Sequence, residues 1–371
     1  MNVPMLDLVA QYQAIKDEVL PAMQAVIESQ QFIMGPAVGE LERAVATLAH
    51  ARHGIACASG TDALLLPLKA MNLAAGDEVV TTPFTFFATA GAIHNAGGTP
   101  VFADVEADTL NVDPAAVEAA LTPRTRAILP VHLYGQMAAM ERLMVVANRR
   151  GIRIIEDAAQ AIGARRSIDG EWRMAGELGW VTGYSFFPSK NLGAWGDGGM
   201  MVTSDDQVAE RLKRLRTHGG AKQYHHDEVG TNSRLDTLQA AVLLAKLGHL
   251  AAWSARRREH AAYYTAALRG VAGVRPPVTA PGNEHIFHQY TLRVERRDAL
   301  QARLKEKGIG SAVYYPIPLH LQKCFAHLGY REGQLPNAER AAAEVISLPV
   351  YPELRREQLD HVIDTVRGFY T

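Results

Sequence analysis

Cysteine is nearly absent: Cys57 and Cys324 are the only two in 371 residues. Two thiols make neither a disulfide framework nor a four-ligand zinc site, and they fit a reducing compartment. Long apolar runs are also missing. Nothing approaches the roughly 18 uninterrupted apolar residues that cross a bilayer, and the opening MNVPMLDLVAQYQ has no basic stretch leading into an apolar one. A charge excess is lacking too, with 38 Lys plus Arg against 39 Asp plus Glu, so no overall field gathers nucleic acid or anionic membrane. There is no fixed-period repeat, and no Gly-x-Gly-x-x-Gly or P-loop spacing, which disfavours a Rossmann dehydrogenase or a nucleotide kinase. The expectation is a soluble, cytoplasmic protein with no membrane or nucleic-acid partner.

What the chain does have is alternation. From about residue 50 to 250, apolar strand-like runs at 54–59, 78–82, 100–105, 126–133, 152–157, 180–187 and 199–204 alternate with helix-length stretches. Asp113 followed by Pro114 reads as N-cap then first helical residue. This pattern predicts βαβ crossovers and a buried, mostly parallel seven-stranded sheet. From Asn232 to Gly270 the chain reads as helix, interrupted at Gly248, and beyond a proline-bearing loop strand and helix alternate again. The length suits one large and one small domain. We expect an α/β protein with a large domain at 31–248, a smaller α+β domain at 249–371, and residues 1–30 packed with the small domain.

Four segments carry chemistry. In YSFFPSKNLGAWGDGG (184–199), Lys190 sits in a short glycine-bearing loop after an apolar strand, where the ligand crevice of a parallel sheet forms. A partly desolvated lysine there is a usable amine nucleophile; alone, it reads more readily as a solvated surface lysine. In IRIIEDAAQAIGA (152–164), Asp157 ends a strand of the same sheet and Gln160 follows one helical turn later. Asp157 suits a cationic pyridine nitrogen as well as a helix N-cap. SGTDAL (59–64) offers a helix N-terminus and the Thr61 hydroxyl to an anion, though alone it reads more readily as an ordinary capped helix start, and TPFTFFATA (82–90) places Phe86 where a ring stacks on a flat cofactor or joins the core. The adjacent His225 and His226 would point to different sides, so no metal site is expected.

In this order, SGTDAL, TPFTFFAT, EDAAQAIGA, SFFPSKNLGAWGDGG, GTNSRLDTLQAA and YYPIPLH resemble the DegT/DnrJ/EryC1/StrS family of pyridoxal 5'-phosphate (PLP) dependent sugar aminotransferases, over nearly the whole chain. The resemblance implies the aspartate aminotransferase-like fold (fold type I) and PLP, passing through pyridoxamine 5'-phosphate between half-reactions. It implies that Lys190 anchors the cofactor covalently, Asp157 pairs with its ring nitrogen, Phe86 stacks on it and Gln160 lies near its phenolic oxygen. Thr61, Asp62 and Ser185 would seat the phosphate, with Asn232 reaching it from a neighbouring subunit of a homodimer that shares its active sites.

Within the family, SFFPSK, the YHH to LDTLQAA stretch and YPIPL are most similar to enzymes that aminate C3 of a UDP-linked 3-keto-N-acetylhexosaminuronate. Those enzymes tend to have histidine where this chain has Tyr314 before Tyr315. The departure leaves UDP- or dTDP-linked 3-keto and 4-keto sugars open. Arg234, Tyr314, Tyr315 and His320 are the substrate candidates. The expected reaction takes an amino group from L-glutamate, releasing 2-oxoglutarate, and makes an amino-sugar for surface polysaccharide or glycoconjugate. The rival within the family is the sugar dehydratase branch, in which histidine replaces the lysine; Lys190 argues against it.

Overall fold

The computed structural model describes residues 1–222 and 224–370. The large lobe runs through α1 (Leu8–Ser29), α2 (Pro36–Leu48), β1 (His53–Cys57), α3 (Gly60–Ala70), β2 (Glu78–Thr81), α4 (Ala88–Asn95), β3 (Thr99–Phe102), α5 (Pro114–Ala120) and β4 (Thr125–Leu129). It continues with α6 (Met140–Arg150), β5 (Arg153–Asp157), β6 (Arg165–Ile168), β7 (Glu171–Met174), β8 (Val181–Ser185), β9 (Gly199–Thr203), α7 (Asp206–Leu215) and α8 (Thr237–Leu247).

The seven predicted strand runs form one seven-stranded sheet, ordered β1-β9-β8-β5-β4-β2-β3. Only β9 runs against its neighbours, pairing antiparallel with β1 and β8. Strands such as β2, β8 and β9 are buried along their whole length, as a sheet covered on both faces requires. Asp113 caps α5 by accepting from the Ala115 N–H at 2.9 Å, with Pro114 in the first turn. The β6–β7 hairpin lies outside the main sheet and pairs with a short later strand.

The long helical reading after Asn232 divides at Gly248: α8 ends at Leu247 and α9 (Leu250–Leu268) begins the passage to the small lobe. That lobe holds β10 (Val274–Arg275), β11 (Asn283–Glu284), β12 (Tyr290–Val294), α10 (Arg297–Glu306), α11 (Pro336–Glu344), β13 (Val345–Leu348) and α12 (Arg356–Tyr370). The sheet β10-β12-β13 packs with α9, α10 and α12 around Tyr264, Leu292, Ile346 and Val362.

Placing residues 1–30 with the small lobe needs correction for their helical part. Val3 does join the small-lobe core and pairs with Ile309. The helix α1 instead lays Ile15 and Val19 against Val242 of α8, with Trp195 and Trp253 alongside. Among the described residues no helix is long and apolar enough to cross a membrane.

Candidate active site

The C-terminal ends of β2, β5 and β8 open on one cleft of about 450 Å³. Lys190, Asp157, Gln160, Phe86, Thr61, Ser185, Tyr314 and Tyr315 all line it. Thr61, Phe86, Asp157, Gln160, Ser185 and Lys190 converge because the strands of the main sheet deliver their ends to the same edge, and Tyr314 and Tyr315 close the cleft from the small lobe.

Asp157 ends β5 and is only 4% exposed. Its backbone is fixed between Pro130 and His132, its Oδ2 accepts from Thr89 Oγ1 at 2.8 Å, and its Oδ1 accepts from the Ala159 N–H at 3.1 Å. Burial pushes this carboxyl above its ordinary pKa, and the two hydrogen bonds and Lys190 oppose that push. A buried carboxylate without an adjacent ion pair favours a cation placed against it. On the other face of β5, Glu156 accepts from His132 Nε2 at 2.7 Å and Thr182 Oγ1 at 3.0 Å. The Ala138 N–H donates to His132 Nδ1, so Nδ1 carries a lone pair and Nε2 the proton shared with Glu156.

Lys190 lies in a turn closed by its own N–H to the Phe187 carbonyl and by the Ala194 N–H to the Phe186 carbonyl, both at 2.8 Å. The buried Lys246 of α8 ties the same loop down by donating to the Gly193 carbonyl at 2.7 Å. Desolvation lowers the Lys190 pKa to about 8, against the opposing pull of Asp157. The neutral, nucleophilic amine therefore appears as pH rises through about 8. Recombination of apoprotein with PLP should accelerate about tenfold per pH unit below that point and level off above it. Stopped-flow absorbance across pH 6–10 reads this; a rate still climbing at pH 10 would show an ordinary solvated lysine.

Ser59 caps α3 by accepting from the Asp62 N–H at 3.1 Å, which leaves the N–H groups of Gly60 and Thr61 without helical partners at the cleft. Gly60 packs against β8: a Cβ there would lie 2.5 Å from Ser185 Cβ and 2.6 Å from its Oγ. Two open amides, the Thr61 and Ser185 hydroxyls and a helix N-terminus form an anion seat. Phe86, 59% exposed, presents its ring to the cleft, with the Tyr315 ring 6.3 Å away. Gln160 is fixed at both ends, accepting from the Tyr134 N–H at 2.7 Å and donating to Tyr315 Oη at 3.0 Å. An amine, a buried carboxylate, an anion seat and an open aromatic face together fit PLP.

We expect Gly60→Ala to lower stability by about 1–3 kcal/mol by overpacking against Ser185 and to raise the PLP dissociation constant at least about tenfold. Denaturant unfolding of the apoprotein and fluorescence titration with PLP check the two effects separately.

Two sequence candidates need correction. Asp62 does not line the cleft: its N–H is used by the Ser59 cap and its carboxylate accepts from Ser233 Oγ at 2.7 Å. His320, 1% exposed, is packed beside Phe102 and Tyr330 and bonded to Glu339 at 3.1 Å, so it is a core histidine. Arg234 and the exposed Asn232, the latter expected to act from a neighbouring subunit, lie outside the cleft of their own chain. Thr89, which orients Asp157, and His288 and Gln289, which enter from the small lobe, were not singled out in the sequence. Thr89 stands inside the quoted TPFTFFATA, but nothing in its spacing marks a carboxylate partner.

The model of the DegT/DnrJ/EryC1/StrS aminotransferase family matches residues 13–367. The chain is 53% identical to the "Pleiotropic regulatory protein" of Geobacillus stearothermophilus, covering 100% of this chain and 99% of that protein. It is 47% identical to the UDP-N-acetyl-3-dehydro-alpha-D-glucosamine 3-aminotransferase of Acidithiobacillus ferrooxidans, covering 98% and 97%. Among solved structures, S. venezuelae DesV in complex with a ketimine intermediate superposes with a TM-score of 0.96 at 44% identity, covering 100% of this chain and 98% of that one.

Proposed function

The chain belongs to the DegT/DnrJ/EryC1/StrS aminotransferase family, and from that premise we propose that it transfers an amino group from L-glutamate to C3 of a UDP- or dTDP-linked 3-keto-sugar. It is a PLP-dependent aminotransferase acting on a nucleotide-linked sugar. The observation that carries the reading is the convergence of Lys190 and Asp157 on one cleft with the anion seat at Gly60 and Thr61. The choice of C3 is supported by relatives named for 3-amino or 3-dehydro sugars with either nucleotide. The amino-sugar would serve surface polysaccharide or glycoconjugate synthesis.

Bound PLP supplies an electron sink for the carbanion that forms beside the transferred nitrogen. Lys190 would anchor it, and once displaced its Nζ would carry a proton from the glutamate Cα to the cofactor and, in the second half-reaction, from the cofactor to the sugar carbon. Asp157 would hold the ring nitrogen protonated. Phe86 would stack on the ring, the amides of Gly60 and Thr61 with the Thr61 and Ser185 hydroxyls would hold the phosphate, and Gln160 with Tyr315 would face its phenolic oxygen. Asn232 and Arg234 act in trans across a homodimer, a reading supported by their position outside their own cleft. A cytoplasmic setting accords with Cys57 and Cys324 as free thiols.

A regulatory reading draws on the name of the Geobacillus relative and expects a retained cofactor without turnover. One experiment separates the two. Purified holoprotein is followed by absorbance on adding glutamate, then UDP- and dTDP-linked keto-sugars singly, with mass detection of products. A band near 400 nm that fades with glutamate and returns with one sugar supports transamination; a spectrum indifferent to every addition overturns it.

A further inference from the structure

We propose that His288 is a positioning residue for Lys190: fixed through Nδ1 on Asn191, it presents an unprotonated Nε2 that accepts a hydrogen bond from the Lys190 amine once that amine is released. The inference rests on the reading of Lys190 as anchor and proton carrier.

Its geometry begins with the residue that follows Lys190. Asn191 is buried, and its Nδ2 faces the Ile286 carbonyl at 3.5 Å, where only a donor is satisfied. Its Oδ1 therefore points at His288 Nδ1, 3.1 Å away, and an amide oxygen can only accept. The proton of the imidazole is thereby placed on Nδ1, and Nε2 carries the lone pair. That Nε2 has no hydrogen-bond partner among the described residues and is not one of the unpartnered atoms sealed from solvent. His288 lines the cleft with Lys190, so its lone pair opens on that space.

The backbone of this ring is equally constrained. Arg257, buried on α9, donates to the carbonyls of Phe287 and His288 at 3.4 Å each and to that of Val350. Burial, with Lys190 and Arg257 nearby, drives His288 well below the ordinary histidine range. The ring thus stays neutral while Lys190 cycles through its cationic form, which a general base could not do. The cations facing it are Lys190 and Arg257; the carboxylates of the cleft are Asp157 and Asp197. Among the described residues Lys190 is the only cationic side chain lining the cleft of its own chain, and its amine is the donor closest in sequence to the Asn191 clamp. Since Asn191 follows Lys190 directly, the same histidine holds the loop that carries the lysine and lines the cleft with it. An amine misplaced by about 1 Å loses on the order of 10²-fold in a transfer step.

The test uses holoprotein and the glutamate half-reaction by stopped-flow absorbance, with protiated and α-deuterated glutamate. His288→Phe should load PLP stoichiometrically and bind glutamate within about twofold of wild type. Its half-reaction rate should fall about 10²-fold, and its deuterium isotope effect should rise as proton transfer becomes slower than the steps around it. His288→Gln, whose amide can donate to Asn191 and still offer an oxygen to the cleft, should recover most of the rate. Asn191→Ala should show the same change in smaller measure, and it carries the test if His288→Phe does not fold. Unchanged rate and isotope effect in a loaded variant, equal losses in the Phe and Gln variants, or a loss confined to glutamate affinity would overturn the proposal. A wild-type spectrum that ignores glutamate would overturn the reading of Lys190 instead.

Discussion

Lys190→Ala is expected to give a folded protein that binds PLP without a covalent bond and transaminates at least about 10⁴-fold more slowly than wild type. Two losses combine in one side chain. The anchor goes, so the 400 nm band is absent and the free aldehyde absorbs near 390 nm or washes out on desalting. The proton carrier goes as well, and no other group replaces it: Asp157 is held by Thr89 and Ala159, and His288 is locked neutral on Asn191. Burial of Lys190 costs the native state something, since its pKa of about 8 lies below the ordinary 10.5. Its truncation therefore should not destabilise the protein, which thermal unfolding of the apo forms checks. A variant that keeps a reducible covalent adduct, or turnover within tenfold of wild type, would move the central role to another residue.

Strand positions were legible because buried parallel strands leave near-continuous apolar runs, and all seven fell within a few residues of their places. The residues at strand ends were legible for the same reason, since a polar residue closing such a run marks the cleft edge, as Asp157 and Ser185 do. What was not legible depends on contacts between distant segments. The sequence SGTDAL does not say that Ser59 captures the Asp62 N–H and Ser233 its carboxylate, leaving Gly60 and Thr61 as the open amides. His320 and His288 both sit in polar-aromatic surroundings of the small lobe, and only packing sends one to the core and the other to the cleft. The short β6–β7 hairpin, with intermediate exposure throughout β6, has neither an apolar run nor a clean alternation to announce it. α1 was misplaced because amphipathic periodicity identifies an apolar stripe but not its partner.

Asp157→Asn tests the charge without removing the shape. The amide can keep the bond from Thr89 Oγ1 on its oxygen, but its NH₂ then meets the Ala159 N–H, and that donor loses its acceptor. The structural cost is about 1–3 kcal/mol, to be read from denaturant unfolding of the apoprotein. The larger effect is electrostatic. Within a site where Asp157 is 4% exposed, no water substitutes for the lost charge, and the ring nitrogen of the cofactor loses the partner that keeps it protonated. We expect kcat to fall about 10²–10³-fold, while PLP still attaches to Lys190. The deficit should be independent of which nucleotide-sugar is offered, because Asp157 acts on the cofactor. Thr89→Val, which removes one bond to the carboxylate and leaves the charge, should cost about tenfold or less. If Asp157→Asn retained near wild-type kcat with full cofactor loading, the carboxylate would be no more than the end of β5 tied to α4, and the protonated ring would need another partner.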